Sequence, residues 1–101
     1  MQRGVSKMPI DLMIEYLRTH SKSMSGKWYE VYIVVVLPNC QQVLTYKEEP
    51  YIMDYDYMVQ YFKNYRSQTK RNNPALYGRS LGVFIPVVDS DFLPKECKRL
   101  K

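Results

Sequence analysis

Few residues in this sequence are suited to chemistry, and their spacing limits what they can do. The single histidine, His20, lies in a Ser-rich run, Thr19-His-Ser-Lys-Ser-Met-Ser-Gly26. A lone histidine there reads as a surface residue rather than a general base. Carboxylates gather as Glu48, Glu49, Asp54 and Asp56, and again as Asp89 and Asp91. Either group would attract a divalent ion. However, acids at a helix start ordinarily serve as caps and dipole partners, and no defined acidic cluster with a following lysine marks a metal-dependent nuclease. Gly78-Arg-Ser-Leu-Gly82 leads into a strand rather than a helix, so it is not a phosphate-cradling loop. Cys40 and Cys97 lack metal-ligand spacing and read as reduced thiols, with a bond between the two left open. The expectation is a non-enzymatic protein with no catalytic residue, no metal and no cofactor.

What the sequence does offer is a run of cations interleaved with tyrosines. Lys63, Arg66, Lys70, Arg71 and Arg79 fall among Tyr61, Tyr65, Tyr77 and the amides Asn64, Asn72 and Asn73. Cations hold phosphates, aromatic rings stack on bases, and amides read base edges or sugar hydroxyls. The C-terminal segment adds Lys95, Lys98, Arg99 and Lys101. The expected contact set for DNA or RNA is therefore Tyr61, Lys63, Tyr65, Arg66, Lys70, Arg71, Tyr77, Arg79, Lys98 and Arg99. The charge balance supports an anionic partner. Residues 1–62 carry six Lys/Arg against seven acids, and residues 63–101 carry nine against three. The plainer explanation is a solvated surface whose positive helix end complements the macrodipole.

The alternative function is a protein-interaction or structural module that forms a homodimer. Tyr57, Tyr61 and Tyr65 stand at i, i+4 spacing, and tyrosine is common at interfaces. An edge strand over residues 83–88 is the other expected contact.

The elements that must position these residues follow from periodicity. Ile10, Met13, Ile14 and Leu17 at i, i+3, i+4, i+7 predict an amphipathic helix over about 9–19, with Pro9 in its first turn. Residues 19–26 read as a mobile loop. Residues 27–37 hold Trp28, Tyr29, Val31, Tyr32, Ile33 and three further valines, which predicts a central strand. Pro38-Asn39 turns it back into a second strand over 42–47, forming a hairpin. Glu48-Glu49-Pro50 breaks that strand. Residues 51–66 read as the second helix, N-capped by Asp54 or starting nearer Tyr51. Residues 67–82 read as a long functional loop with one helical turn after Asn73-Pro74. A third strand covers 83–88, where Pro86 argues for an edge or a bulge. The fold class is α+β, with a small, mostly antiparallel sheet of three strands in the order α-β-β-α-β and two helices on one face. The chain reads as a single domain over 1–101, with a loose N-terminus to about residue 8 and a basic tail from about 94.

Three motif comparisons narrow the choice. Tyr57 and Tyr61 superficially resemble the paired tyrosines of rolling-circle replication initiators, but those need a metal-binding His-x-His strand and this chain has one histidine. The element order suits a K-homology type II domain, yet Gly78 and Gly82 have three residues between them instead of two. In size, tyrosine content and lack of motifs, the chain resembles small proteins of viruses, phages and other mobile elements. The apolar run Val31–Leu37 falls short of the roughly 20 residues that span a bilayer. No N-terminal apolar run suggests a signal peptide, so a cytoplasmic protein without membrane contact is expected.

Overall fold

The computed structural model describes residues 6–44 and 51–87. They form strand β1 (Ser6–Pro9), helix α1 (Ile10–Thr19), a single turn α2 (Ser21–Met24), and strands β2 (Trp28–Val36), β3 (Gln42–Leu44) and β4 (Tyr51–Asp54). Helix α3 (Tyr55–Asn72), the short α4 (Pro74–Gly78) and strand β5 (Ser80–Pro86) follow. The result is a small α+β domain around an antiparallel sheet of five strands.

The sheet runs β1-β5-β2-β3, with β4 also paired to β2. β5 lies antiparallel between β1 and β2, so β1 and β2 are parallel with a strand inserted between them. In the same way β4 and β5 are parallel with β2 between them. Helix α1 bridges the first pair and α3 bridges the second, giving two interlocked β-α-β crossovers. Both helices pack on one face of the sheet, and on each other.

Alternation along the strands decides what meets them. Tyr29, Val31 and Ile33 of β2 point to the helices with Phe84 of β5 and Met53 of β4. Ile10, Met13, Ile14 and Leu17 of α1 and Tyr55, Met58 and Phe62 of α3 close over them. On the other face lie Tyr32 and Val34 of β2 with Leu81, Val83 and Ile85 of β5. Here Lys7 Nζ of β1 donates to Gln42 Oε1 of β3 at 2.8 Å. Those strands are three spacings apart, roughly 14 Å in a flat sheet. The sheet is therefore coiled toward its helix-free side, and Val34 and Val83 are buried there.

The strand count expected from sequence is corrected from three to five. Ser6–Pro9 has no hydrophobic alternation and becomes a strand only by pairing with Leu81–Phe84. Tyr51–Asp54 is not the first turn of a helix. It pairs with Trp28–Val31, and Asp54 then caps α3 by accepting from Tyr57 N at 2.9 Å. The edge assignment of the last strand is also corrected, because β5 is paired on both sides. Pro86 is tolerated because it is the last strand residue, beyond the described β1–β5 pairing, whose final partners are Ser6 and Phe84.

Two segments read as loops are helical. Ser21–Met24 makes one turn because Met24 is buried and its carbonyl accepts from the Tyr29 hydroxyl at 3.0 Å. Ser67–Asn72 extends α3, held to the protein by buried Thr69. The expected turn at Pro74 is present, with Asn73 Oδ1 accepting from Leu76 N. The hairpin at Pro38-Asn39 is present too, with Val34–Val36 paired to Gln42–Leu44. The expected continuation of its second strand to residue 47 and the basic tail from residue 94 lie outside the described residues. Among the described residues, no helix is long and apolar enough to cross a membrane.

Candidate nucleic-acid interface

Helix α3 carries most of the expected contact set, and its geometry sorts that set into two groups. At 100° per residue, buried Met58, Phe62 and Thr69 define the inward direction. Lys63, Ser67, Lys70 and Arg71 then cluster on the outward side, and all are exposed. Tyr57, Tyr61 and Tyr65 flank the core on one side and are half-buried. The tyrosines and cations that alternate in sequence are therefore largely separated in space.

Each tyrosine has structural contacts. Tyr61 packs edge-on against Phe62, with ring centres 5.5 Å apart. The Tyr65 hydroxyl meets Ser80 Oγ at 2.6 Å, and Ser80 Oγ donates to the Leu76 carbonyl at 2.7 Å. This chain of bonds joins α3, α4 and the start of β5. The Tyr55 hydroxyl donates to the Leu17 carbonyl at 2.6 Å, pinning the start of α3 to the end of α1. Two of the amides are also engaged. Asn73 caps α4, and Asn64 accepts from Gln60.

Tyr77 differs in that its contacts reach the cations, because α4 folds back beside the last turns of α3. Its ring lies under the Lys70 ammonium, 5.8 Å from nitrogen to ring centre. Its hydroxyl donates to Asp11 Oδ2 of α1. Arg66 Nη1 stands 3.5 Å from Asp11 Oδ1. Burial, and then the bond to Asp11, push the Tyr77 hydroxyl up to about 12. The Tyr77 hydrogen bond is the main influence holding the Asp11 carboxyl below its usual range, with Arg66 and Lys70 adding to it.

The structure thus brings Lys63, Arg66, Lys70, Arg71 and Tyr77 to the outer side and C-terminal end of α3. Arg79 is exposed just after α4. Tyr61 and Tyr65 belong to the packed flank of the helix. Lys98 and Arg99 lie outside the described residues. Sequence reasoning missed Asp11, which sits among these cations but is 55 residues from Arg66 and 66 from Tyr77. Among the described residues, no group of three or more His, Cys, Asp or Glu side chains is placed to hold a metal ion. Cys40 is exposed, and Cys97 lies outside the described residues. No protein-family model matches this sequence, and no curated protein or solved structure is significantly similar to it.

Proposed function

We propose that this chain is a non-enzymatic nucleic-acid-binding accessory protein that grips the phosphate backbone of DNA or RNA with the outer face of α3 and Arg79. The observation that carries this reading is one of charge. From Tyr57 to Val87 the chain holds Lys63, Arg66, Lys70, Arg71 and Arg79 and no carboxylate. Four of these cations are exposed, and among the described residues Arg66 pairs with an acid, Asp11, with Lys70 also within its influence. Lys63 to Arg71 spans about 12 Å of helix, enough to follow successive phosphates of one strand. Because Tyr61 and Tyr65 are turned into the protein, base stacking is a minor part of the proposed contact. The expected mode is electrostatic, tolerant of sequence and steep in salt.

Fluorescence anisotropy with labelled single-stranded and duplex oligonucleotides tests this across a salt series. Four phosphate contacts give a log–log slope of about −3 for a single strand and about −3.6 for a duplex. Replacing Lys63, Lys70, Arg71 and Arg79 together by alanine should abolish binding at ~0.1 M salt. Affinity that is insensitive to salt, or that survives the fourfold replacement, overturns the proposal.

A further inference from the structure

The cationic end of α3 already contains an anion. Asp11 sits in the first turn of α1 and faces α3 and α4. Its two carboxylate oxygens take the Tyr77 hydroxyl and the Arg66 guanidinium, and the Lys70 ammonium stands over the Tyr77 ring. A guanidinium and a phenolic O–H converge on one carboxylate, with an ammonium close by over the phenol ring, and these are groups that hold phosphate oxygens. The grip on Asp11 is loose where charge matters most. Arg66 makes one 3.5 Å contact instead of a two-pronged fork, and the Asp11 side chain is 60% exposed. A backbone phosphodiester carries the same single charge on two non-bridging oxygens and, unlike Asp11, is free to turn both toward these donors.

We propose that Asp11 is a resident competitor. Its carboxylate fills a phosphate subsite made by Arg66 and Tyr77, and a backbone phosphate of bound nucleic acid takes its place. This rests on the reading that the outer face of α3 binds nucleic acid, and it adds to that reading a fifth phosphate contact that is self-masked in the free protein. The exchange also makes the subsite selective. A weak anion does not displace Asp11, whereas a strand already held by Lys63, Lys70, Arg71 and Arg79 presents its phosphate at high local concentration.

The test compares Asp11→Asn with Asp56→Asn. Both changes remove one negative charge. Asparagine at 11 keeps an oxygen to accept from Tyr77. Asp56 is exposed in the first turn of α3, away from Arg66 and Tyr77 in sequence and on the helix, and serves as the charge-matched control. Anisotropy titrations at ~0.1 M salt should show D11N binding about fivefold tighter than wild type, with the salt slope steeper by about one unit. D56N should gain less than about twofold, with its slope unchanged. Arg66→Ala should weaken wild type by less than it weakens D11N and should remove the D11N gain, a non-additivity that a purely structural role for Asp11 would not produce. If D11N and D56N behave alike, the inference falls while a salt-steep wild type still supports the binding reading. If wild type is silent and D11N binds, the inference stands in its strongest form. If neither binds at low salt, both fall.

Discussion

Replacing Gly82 with alanine would put a methyl group where three side-chain atoms already stand. Gly82 lies in β5 between Met8 of β1 and Ile33 of β2, on the face covered by the helices. A Cβ built there would lie 2.9 Å from Phe62 Cε1, 3.2 Å from Phe62 Cζ and 3.1 Å from Met13 Cγ. The methionine is flexible and yields at little cost. The Phe62 ring is fully buried, in contact with the strand on one side and the rest of the core on the other, so it has no room to retreat. Overpacking of this kind costs about 1–3 kcal/mol. The smaller freedom of alanine in the unfolded chain returns about 0.4–1 kcal/mol. The expected net loss is about 1–2 kcal/mol. Urea unfolding followed by far-UV circular dichroism should place the midpoint of G82A roughly 0.5–1 M below wild type with an unchanged slope. Phe62→Leu removes the ring atoms nearest the new methyl group. The double variant should therefore be more stable than the sum of the two single losses by at least about 0.5 kcal/mol. A G82A protein as stable as wild type would refute the close approach of α1 and α3 to β5, and with it the arrangement that aims the outer face of α3 at solvent.

Two further outcomes follow from local geometry. Asp54→Ala should cost about 1 kcal/mol, because it leaves the Tyr57 N–H without its cap, while Asp54→Asn should be near neutral; equal losses for both in urea unfolding would count against the cap. Tyr77→Phe should destabilise by an amount that depends on pH. The folded hydroxyl is held at about 12, above its ordinary value of 10.0, so the contribution is complete below pH 10 and is lost as pH rises toward 12. The folded Asp11 carboxyl is lowered, so its share is present above the ordinary value of 3.8 and is lost as pH falls through the folded value. The stability gap between wild type and Y77F should thus be widest between these limits, and a gap constant from pH 8 to 12 would argue that the hydroxyl does not engage Asp11.

Much of the fold is legible in the sequence wherever burial is one-sided. Ile10, Met13, Ile14 and Leu17 spell out α1, and all four are buried. The dense run of β-branched and aromatic residues over 28–36 marks the central strand, with Val34 and Val35 buried on opposite faces. Asp54 is readable as a cap, and that reading also implied that the residues before it are not helical. Tyr51, Ile52 and Met53 are good strand formers once the helix is started after them. The failures share a cause. Ser6–Pro9 and Ser67–Asn72 are polar segments whose state is set by what they meet, a strand edge for one and a continuing helix for the other. Neither contact leaves a local pattern. Pro86 misled in the same way, because its tolerance depends on where the neighbouring strand stops pairing.

The site divides along the same line, and the division bears on mechanism. Tyrosines interleaved with cations suggest a surface that stacks bases while holding phosphates. On a helix, however, residues two apart point about 200° from each other, so Tyr61 and Tyr65 cannot share a face with Lys63. That much follows from spacing alone, and it removes base stacking from the centre of the contact. No spacing rule could have found Asp11, because the sheet topology brings α1 against the end of α3 and sets an acid among Arg66, Lys70 and Tyr77. The sequence therefore overstates the aromatic share of the surface and hides a carboxylate, Asp11, that tempers its charge. A strand bound as proposed would meet four exposed cations, Lys63, Lys70, Arg71 and Arg79, and one, Arg66, paired with Asp11. Its affinity would be set by how far it displaces Asp11, and hardly at all by which bases it carries.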